Sequence, residues 1–323
     1  MLTVGTTFSG IGSVELALKK LNIDHKLKWA CDNNKSAKKA FLDNFEVETF
    51  YDDIYDMNEK EIEPVDFYMF GFPCQSFSIN GLRGGFEDTR GTLVFESLRI
   101  IKEIRPKYFI AENVKGLTYH DKVDKKDKYG RTFNTVMNAF NELDYNIHWK
   151  VLNSNDYGIP QNRERIFIVG IRKDIDQPFE FPEPLKLNKT INDFLDNHND
   201  IPLKEFYDPK DILEKEPGKR KAKLKQTHIW TGTAFEQRRR VYSVNGSCPC
   251  IDATIAPKIH YKYEGKDYYR TITSKEALKL QGFPGDFKNT IGELQMRKKA
   301  GNSITVDVNV EILKKLIPAK YYK

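Results

Sequence analysis

Apolar residues in the first half of the chain occur alternately as short continuous runs and as stripes at helical spacing. The short runs predict strands, at residues 2–8, 27–31, 65–70, 108–111 and 165–171, with a further strand ending before Asp52. The striped segments predict helices, at residues 14–21, 36–45, 91–104 and 131–143. Strands that alternate with helices are typical of a mostly parallel, doubly wound α/β sheet, whose ligand site lies at the carboxyl ends of the strands.

The pattern changes after about Phe179, where a proline-rich turn leads into lysine-rich sequence with weak periodicity up to about Tyr269. This stretch predicts a second, smaller domain with irregular structure over residues 191–283. A helix at 274–281 belongs to it, and a last helix begins after Ser303 with an apolar stripe, formed by Val306, Val310, Leu313 and Ile317. Because that stripe needs a packing partner, we expect residues 284–323 to return to the first domain, residues 1–190.

The composition is that of a globular protein, since 39% of the 323 residues are hydrophobic and 30% are charged. The chain begins without a basic segment followed by an apolar run. No run approaches the roughly 18 apolar residues of a membrane span. We therefore expect a cytoplasmic protein with no membrane partner.

The cysteines predict neither disulfides nor a metal site. Four cysteines in a chain of this length do not make a disulfide framework, so the thiols are expected to be reduced. Cys248 and Cys250 are close in sequence, but a structural zinc ion takes about four ligands. No second Cys or His pair lies nearby at a suitable spacing.

The positive charge of the chain is concentrated in one segment. Residues 210–240 contain ten lysines and arginines against four acidic residues, an excess of +6 that equals the formal net charge of the whole chain. A basic segment of this kind favours a polyanionic partner such as nucleic acid, although many charge runs are only solvated surfaces.

Small and acidic residues follow the first predicted strands. Phe8, Gly10 and Gly12 form a strand-to-helix turn, and glycines there allow a ligand to approach a helix N-terminus. Asp32 and Asp53 follow the next two strands, where a carboxylate can hold ribose hydroxyls. The turn alone is a weak signal, but the set is compatible with a nucleoside cofactor.

Later strands end in residues that can carry chemistry. Cys74 follows Pro73 at the end of the fourth strand, and Glu112 ends the fifth. A cysteine is most often a small buried hydrophobe, but this location favours a role at the ligand site. Arg163 and Arg165 are two residues apart, so they would lie on one face of an extended segment.

Taken in order, seven short motifs resemble those of the DNA (cytosine-5) methyltransferase family, in particular its compact bacterial and phage members. They are FSGIG at 8–12, GFPCQSFS at 71–78, GFEDTRGTL at 85–93, ENVKG at 112–116, QNRER at 161–165, TSKEALKLQGFP at 273–284 and AGNS at 300–303. The resemblance covers nearly the whole chain except a variable region around residues 190–270. It implies a Rossmann-like methyltransferase domain and makes residues 191–283 a target-recognition domain and hinge.

The resemblance implies transfer of a methyl group from S-adenosylmethionine to C5 of a cytosine in a short sequence of double-stranded DNA. The cytosine is flipped out of the helix, and Cys74 forms a covalent bond with its C6. Glu112 would hold N3 and the exocyclic amine, and Arg163 and Arg165 would neutralise the O2 edge, with Arg165 the nearer contact. S-adenosylhomocysteine is the expected product, and no metal is needed.

The resemblance also assigns binding residues. The expected cofactor contacts are Phe8, Gly10, Gly12, Asp32, Asn33, Asp53, Ile54, Pro73, Leu93, Asn302 and Ser303. The expected DNA contacts are Gln75, Ser76, Ser78, Arg90, Gln237 and Arg240. Asn33 departs from the family pattern, because many members carry there a tryptophan that packs on the adenine. Lysines between 219 and 225 would contact phosphates.

Three other functions remain as alternatives. The tRNA-methylating branch of the family tends to have Pro-Pro-Cys-Gln-Pro, whereas this chain has Phe72 before Pro73 and Ser76 after Gln75. A non-catalytic nucleic-acid-binding protein would not need Cys74. A nicotinamide oxidoreductase would be expected to have a full G-x-G-x-x-G motif. We expect a monomer, with a restriction endonuclease for the same DNA site as a functional counterpart that is not physically bound.

Overall fold

The structure is a computed structural model that describes residues 1–73, 93–124, 126–214, 226–231, 239–254 and 256–323. The described chain forms two compact units. The first comprises Met1–Leu152, Glu164–Pro182 and Asn309–Lys323, and the second comprises Asn153–Arg163 and Glu183–Val308. Within the described ranges, no helix is long and apolar enough to cross a membrane.

The strands and helices fall close to the predicted positions in the first half of the chain. In chain order the strands are β1 (Leu2–Thr7), β2 (His25–Cys31), β3 (Thr49–Tyr51), β4 (Phe67–Gly71), β5 (Tyr108–Val114), β6 (Tyr145–Asn153), β7 (Gln161–Asn162), β8 (Glu164–Arg172), β9 (Ile212–Glu214), β10 (Gln226–Trp230), β11 (Arg240–Ser243), β12 (Cys248–Pro249), β13 (Lys258–Tyr263) and β14 (Lys266–Thr271). The helices are α1 (Ser13–Lys20), α2 (Lys35–Leu42), α3 (Leu93–Ile104), α4 (Arg131–Asn141), α5 (Ser274–Lys279), α6 (Glu293–Asn302) and α7 (Val306–Leu316).

The first unit is built on a seven-stranded sheet with the order β3-β2-β1-β4-β5-β8-β6. Strands β1 to β5 pair in parallel, and β8 runs antiparallel to β5. The chain adds β2 and β3 on one side of β1 and then crosses to β4 on the other side, which creates a topological switch point between β1 and β4. Ligands in doubly wound sheets bind outside the carboxyl ends of the strands at such a point. The predicted fold class is confirmed.

The parallel strands read as apolar runs because consecutive residues, which point to opposite faces of the sheet, are both buried. On one face, aromatic rings from neighbouring strands and α4 pack together: Phe70 stacks with Tyr68 and Phe140, and Phe109 stacks with Phe140. These side chains are at most 1% exposed. The core therefore packs β4 and β5 together, and the predicted site residues lie where these strands end.

The C-terminal residues, from Asn309 onward, belong to the first unit. The predicted stripe of α7 is buried, with Val306 and Leu313 fully inaccessible and Ile317 3% exposed. A side-chain amide of Gln177 donates to the carbonyl of Leu316 at 2.7 Å, which joins the helix end to the segment after β8.

The second unit contains a five-stranded sheet with the order β14-β13-β11-β10-β9. Irregular structure was expected in this part of the chain, so the sheet is a correction to the sequence analysis. Strands β13 and β14 form a hairpin whose turn residues, Glu264 and Gly265, have φ values of 48° and 77°. Two consecutive left-handed residues suit a tight hairpin turn. The two strands of the hairpin are rich in lysine and tyrosine, so the sequence does not show the alternation of apolar and polar residues that predicts a strand.

A buried ion pair fixes α5 to the hairpin in this second unit. Arg270 of β14 donates two hydrogen bonds of 2.7 Å to the carboxylate of Glu276, and both side chains are at most 1% exposed. Glu276 also accepts the backbone N–H of Thr273, which completes a capping box at the start of α5. The bonds satisfy both buried charges, as a low-dielectric interior requires.

Candidate active site

The turn after β1 has the left-handed backbone that its glycines suggested. The φ angles of Phe8, Gly10 and Gly12 are 54°, 58° and 86°. A Cβ atom at Gly12 would lie 2.2 Å from the ring of Phe45, so both the backbone and the packing require glycine there. Among the described residues, a Cβ at Gly10 would meet only the carbonyl of Phe8, at 4.0 Å, so no described side chain fills the space over Gly10.

Asp32, at the end of β2, is bonded to this turn. Its Oδ2 accepts the backbone N–H of Gly10 at 2.8 Å, and its Oδ1 accepts the N–H of Asn34 at 2.9 Å. Asp53 accepts the N–H of Tyr55 at 3.1 Å at the start of the short helix Ile54–Asp56. Ile54 is buried, whereas Asn33 is exposed. The acidic residues thus order the loops at two neighbouring strand ends.

The chain leaves β4 through Phe72 and Pro73, and Phe72 is held by an amide. Asn113 Nδ2 donates to the carbonyl of Phe72 at 2.8 Å. The parallel register places Gly71 opposite Glu112, so the end of β4 adjoins the two polar residues at the end of β5. Sequence analysis did not single out Asn113, although it follows Glu112 directly in the motif ENVKG.

Glu112 forms an ion pair with Arg165. The two side chains are 11% and 16% exposed, and Arg165 Nε lies 3.2 Å from Glu112 Oε1. The antiparallel register of β5 and β8 brings them together, because Val114 pairs with Arg165 and Glu112 with Phe167. Arg165 Nη1 also donates to the carbonyl of Glu164 at 2.8 Å, which orients the guanidinium group.

Arg163 belongs to the second unit and bonds to residues of that unit. Its guanidinium group donates to the carbonyl oxygens of Ile251 and Ser303 at 2.8 and 2.7 Å, and Nη1 lies 3.4 Å from the sulfur of Cys250. Arg163 is 3% exposed. Burial and two carbonyl acceptors are typical of an arginine that joins chain segments, here those around residues 251 and 303.

Six predicted contact residues lie outside the described residues: Cys74, Gln75, Ser76, Ser78, Arg90 and Gln237. Of the other predicted contacts, Leu93 begins α3, Arg240 is a half-buried residue at the start of β11, and Asn302 is exposed at the end of α6. No group of three or more His, Cys, Asp or Glu side chains in the described chain is arranged to hold a metal ion.

Sequence analysis also missed a buried acid behind the glycine turn. Glu15 of α1 is 2% exposed, and burial raises the pKa of its carboxyl to about 7. Its Oε1 lies at hydrogen-bond distance, 2.9 Å, from Thr6 Oγ1. The sequence carried a signal for it, because Glu15 stands between Val14 and Leu16 in a helix turn whose other residues are buried.

Comparison with known proteins agrees with this fold and identifies the family. The sequence profile of the family described as C-5 cytosine-specific DNA methylase matches residues 2–318. Type II methyltransferase M.NgoBI of Neisseria gonorrhoeae is 38% identical over 322 residues, covering 98% of this chain and 94% of that protein. Type II methyltransferase M.HhaI of Haemophilus parahaemolyticus is 35% identical over 308 residues, covering 93% and 90%.

The fold is similar to that of the solved S. pombe Dnmt2 methyltransferase, with a TM-score of 0.72, 17% sequence identity, and coverage of 98% of this chain and 100% of that one. At this identity the likeness concerns the fold alone. The family profile spans nearly the whole chain, and two relatives share more than a third of their aligned residues with it. The chain therefore belongs to the C-5 cytosine-specific DNA methylase family and is a DNA (cytosine-5)-methyltransferase.

Proposed function

We propose that the chain methylates C5 of a flipped-out cytosine in a specific site of double-stranded DNA, through a covalent bond between Cys74 and C6, with S-adenosylmethionine as methyl donor. The observation that supports this most directly is the pair of Glu112 and Arg165, which stand 3.2 Å apart at the ends of β5 and β8. The strand beside them, β4, leads through Phe72 and Pro73 to Cys74 in the sequence.

The chemistry divides among these side chains by charge. The Cys74 thiolate adds to C6, which makes C5 nucleophilic, and after methyl transfer C5 loses its proton and the thiol is eliminated. Glu112 hydrogen-bonds N3 and the exocyclic amine, where proton sharing offsets the developing charge. Arg165 contacts the O2 edge and lies close enough to Glu112 to orient its carboxyl group.

Arg163 and Asn113 act as positioning residues in this proposal. The carbonyl bonds of Arg163 hold the segments around Ile251 and Ser303, and the amide of Asn113 restrains Phe72 two residues before the thiol. A restrained approach to Cys74 matters because a small displacement of a reacting group strongly reduces the rate.

The residues around the switch point fit a nucleoside cofactor. No side chain of the described ranges fills the space above the Gly10 backbone, and Asp32 and Asp53 lie at the two neighbouring strand ends. S-adenosylmethionine supplies an electrophilic methyl group when bound. Phe8, Gly10, Gly12, Pro73 and Leu93 would line its pocket, Asp32 would bind the ribose, and Asp53 with Ile54 would face the adenine. The roles assigned to Asn33, Asn302 and Ser303 stay predictions.

We assign target recognition to residues 191–283 and catalysis to residues 1–190 with 284–323. Gln237 and Arg240 would read a neighbouring guanine, since an arginine can donate to O6 and N7 of that base. Methylation by an Arg240→Ala variant, tested on a library of DNA sites, should lose discrimination at one base pair by about tenfold. Unchanged preference at every base pair would contradict this assignment.

Bisulfite sequencing of DNA from cells that express the chain would identify the methylated site. A restriction endonuclease that cuts the same site would be the functional counterpart.

The covalent step can be tested without knowledge of the DNA site. Long DNA synthesised with 5-fluorocytosine in place of cytosine contains a short recognition site many times. Fluorine replaces the C5 proton that must be lost after methyl transfer, so the thiol cannot be eliminated and the covalent complex persists. With S-adenosylmethionine, the wild-type chain should form a complex that survives denaturant. Cys74→Ala should form none, whereas Cys248→Ala, which alters a buried thiol in another part of the chain, should still form it. A stable complex with Cys74→Ala would overturn the proposal.

A further inference from the structure

The buried carboxyl of Glu15 connects to the glycine turn through two hydroxyl groups. Thr6 Oγ1 lies 2.9 Å from Glu15 Oε1 and 2.8 Å from Ser9 Oγ. Ser9 Oγ in turn lies 3.2 Å from the carbonyl oxygen of Cys31 and accepts the N–H of Cys31 at 3.1 Å. The chain of contacts runs from the core side of α1, through β1, to the turn and the end of β2.

Among the described residues, no lysine, arginine or histidine, including Lys19 in the same helix, forms a salt bridge with Glu15. Its Oε2 is buried and has no hydrogen-bond partner among the described residues. The charged groups that share its cleft are Lys19, His25, Lys26, Glu46 and Glu48. Of these, Lys26 pairs with Glu48, and the His25 ring bonds the carbonyl of Ile23 at 2.7 Å. An isolated buried acid in this setting favours the protonated form.

The protonation state of Glu15 sets the direction of the hydrogen bonds, because each hydroxyl has one hydrogen to donate. When Glu15 is neutral, it donates to Thr6, Thr6 donates to Ser9, and Ser9 donates to the carbonyl of Cys31. When Glu15 is ionised, Thr6 must donate to the carboxylate, and Ser9 must donate to Thr6 to keep the row of bonds intact. The bond that Ser9 Oγ donates to the carbonyl of Cys31 is then lost, whereas the bonds donated by the backbone N–H groups of Ser9 and Cys31, at 3.0 and 3.1 Å, remain.

We propose that Glu15 is a positioning residue for the cofactor: through Thr6 and Ser9, its buried neutral carboxyl fastens the turn at residues 8–12 to the end of β2 in the geometry that binds S-adenosylmethionine. The inference rests on the proposed function, because it assumes that this turn binds the cofactor. Asp32 ties Gly10 to the same strand end from the other side, so the two acids hold the turn together.

Binding of S-adenosylhomocysteine to the purified full chain tests the proposal without DNA or turnover. In titration calorimetry, Glu15→Ala should weaken binding about fivefold, the worth of one hydrogen bond of about 1 kcal/mol. Glu15→Gln, which is uncharged and can donate to Thr6, should retain wild-type affinity. The wild type should bind more weakly at about pH 8.5 than at about pH 6, and the glutamine variant should not. Glu46→Gln, at an exposed position of the same cleft, is the control.

Ser9→Ala keeps the proposal testable if Glu15→Ala does not fold, because it removes the last hydroxyl at a half-buried position. This variant should also bind about fivefold more weakly, and in methylation assays it should raise KM for S-adenosylmethionine with little change in kcat. If Ser9→Ala or Glu15→Ala binds S-adenosylhomocysteine with wild-type affinity, the positioning role of Glu15 is overturned, but the proposed cofactor is not. Failure of the wild-type chain to bind S-adenosylhomocysteine would overturn the proposed cofactor as well.

Discussion

Glu15 and Glu112 are two buried glutamates of the first unit, one in helix α1 and one near the end of strand β5, and their partners differ. Glu112 lies 3.2 Å from the guanidinium group of Arg165, whereas Glu15 Oε1 lies 2.9 Å from the hydroxyl of Thr6. A nearby cation stabilises a carboxylate, and burial without one stabilises the neutral acid. The role of a buried acid therefore follows from its partner rather than from its burial: Glu112 is suited to substrate chemistry and Glu15 to holding the backbone.

The largest expected effect is that of Glu112→Gln on turnover. The amide keeps the shape of the side chain but cannot exchange a proton at N3, so single-turnover methylation should slow by at least about 100-fold. Radioactive methyl transfer to DNA measures the rate, and a gel-shift assay measures DNA binding, which should change little. Glu15→Gln is the matched control, since it neutralises the other buried acid. Equal slowing in both variants would show that Glu112 and Glu15 do not differ in their role in turnover.

The next largest expected effect is on the free energy of unfolding, through the ion pair between Glu112 and Arg165. Arg165→Ala leaves Glu112 without its cation in a position of low exposure, so the free energy of unfolding should fall by about 3 kcal/mol. Denaturant titration gives this value. The double variant Arg165→Ala with Glu112→Gln should recover part of the loss, because the uncompensated charge is gone. Additive losses in the two single variants and the double variant would indicate that the pair contributes little.

A third, comparable or smaller effect is the dependence of stability on pH through Glu15. Burial raises the pKa of this carboxyl from 4.5 to about 7 in the folded chain, so the folded state binds the proton more tightly than the unfolded state. This proton binding stabilises the folded state by at most about 3 kcal/mol. The stabilisation is fully present below about pH 4.5 and is lost as the pH rises through about 7. Glu15→Gln should abolish that decline and exceed the wild type in stability at about pH 8. A parallel decline in both proteins would assign it to other groups.

Hydrophobic patterning predicted the first unit well and the second poorly. Continuous apolar runs marked β1, β2, β4, β5 and β8, because strands covered on both faces have little room for polar residues. Strand β6 was missed, since it lies at the edge of the sheet and mixes exposed with half-buried positions. The sheet of the second unit was missed because its strands carry lysines and tyrosines on surfaces that remain partly exposed.

The same limit applied to the site. The ends of strands identified Asp32 and Glu112, since parallel strands bring their carboxyl ends to one edge of a sheet. Arg163 and Arg165, predicted to act together, have separate partners: Arg163 bonds carbonyl groups of the second unit, and Arg165 pairs with Glu112. Two residues that are two apart share one face only when both belong to the same strand. Strand β8 begins at Glu164, so Arg165 belongs to it and Arg163 does not.

Periodicity and short motifs are local properties of the chain, and they were sufficient to identify the family, the doubly wound sheet and the order of residues along the strand ends. Three features became known only from the fold: the cation beside Glu112, the amide that restrains Phe72, and the two hydroxyl groups that connect Glu15 to the glycine turn. Those outcomes depend on register and burial between segments distant in sequence, and desolvation and partner distance, rather than residue type, set the charge of a buried group.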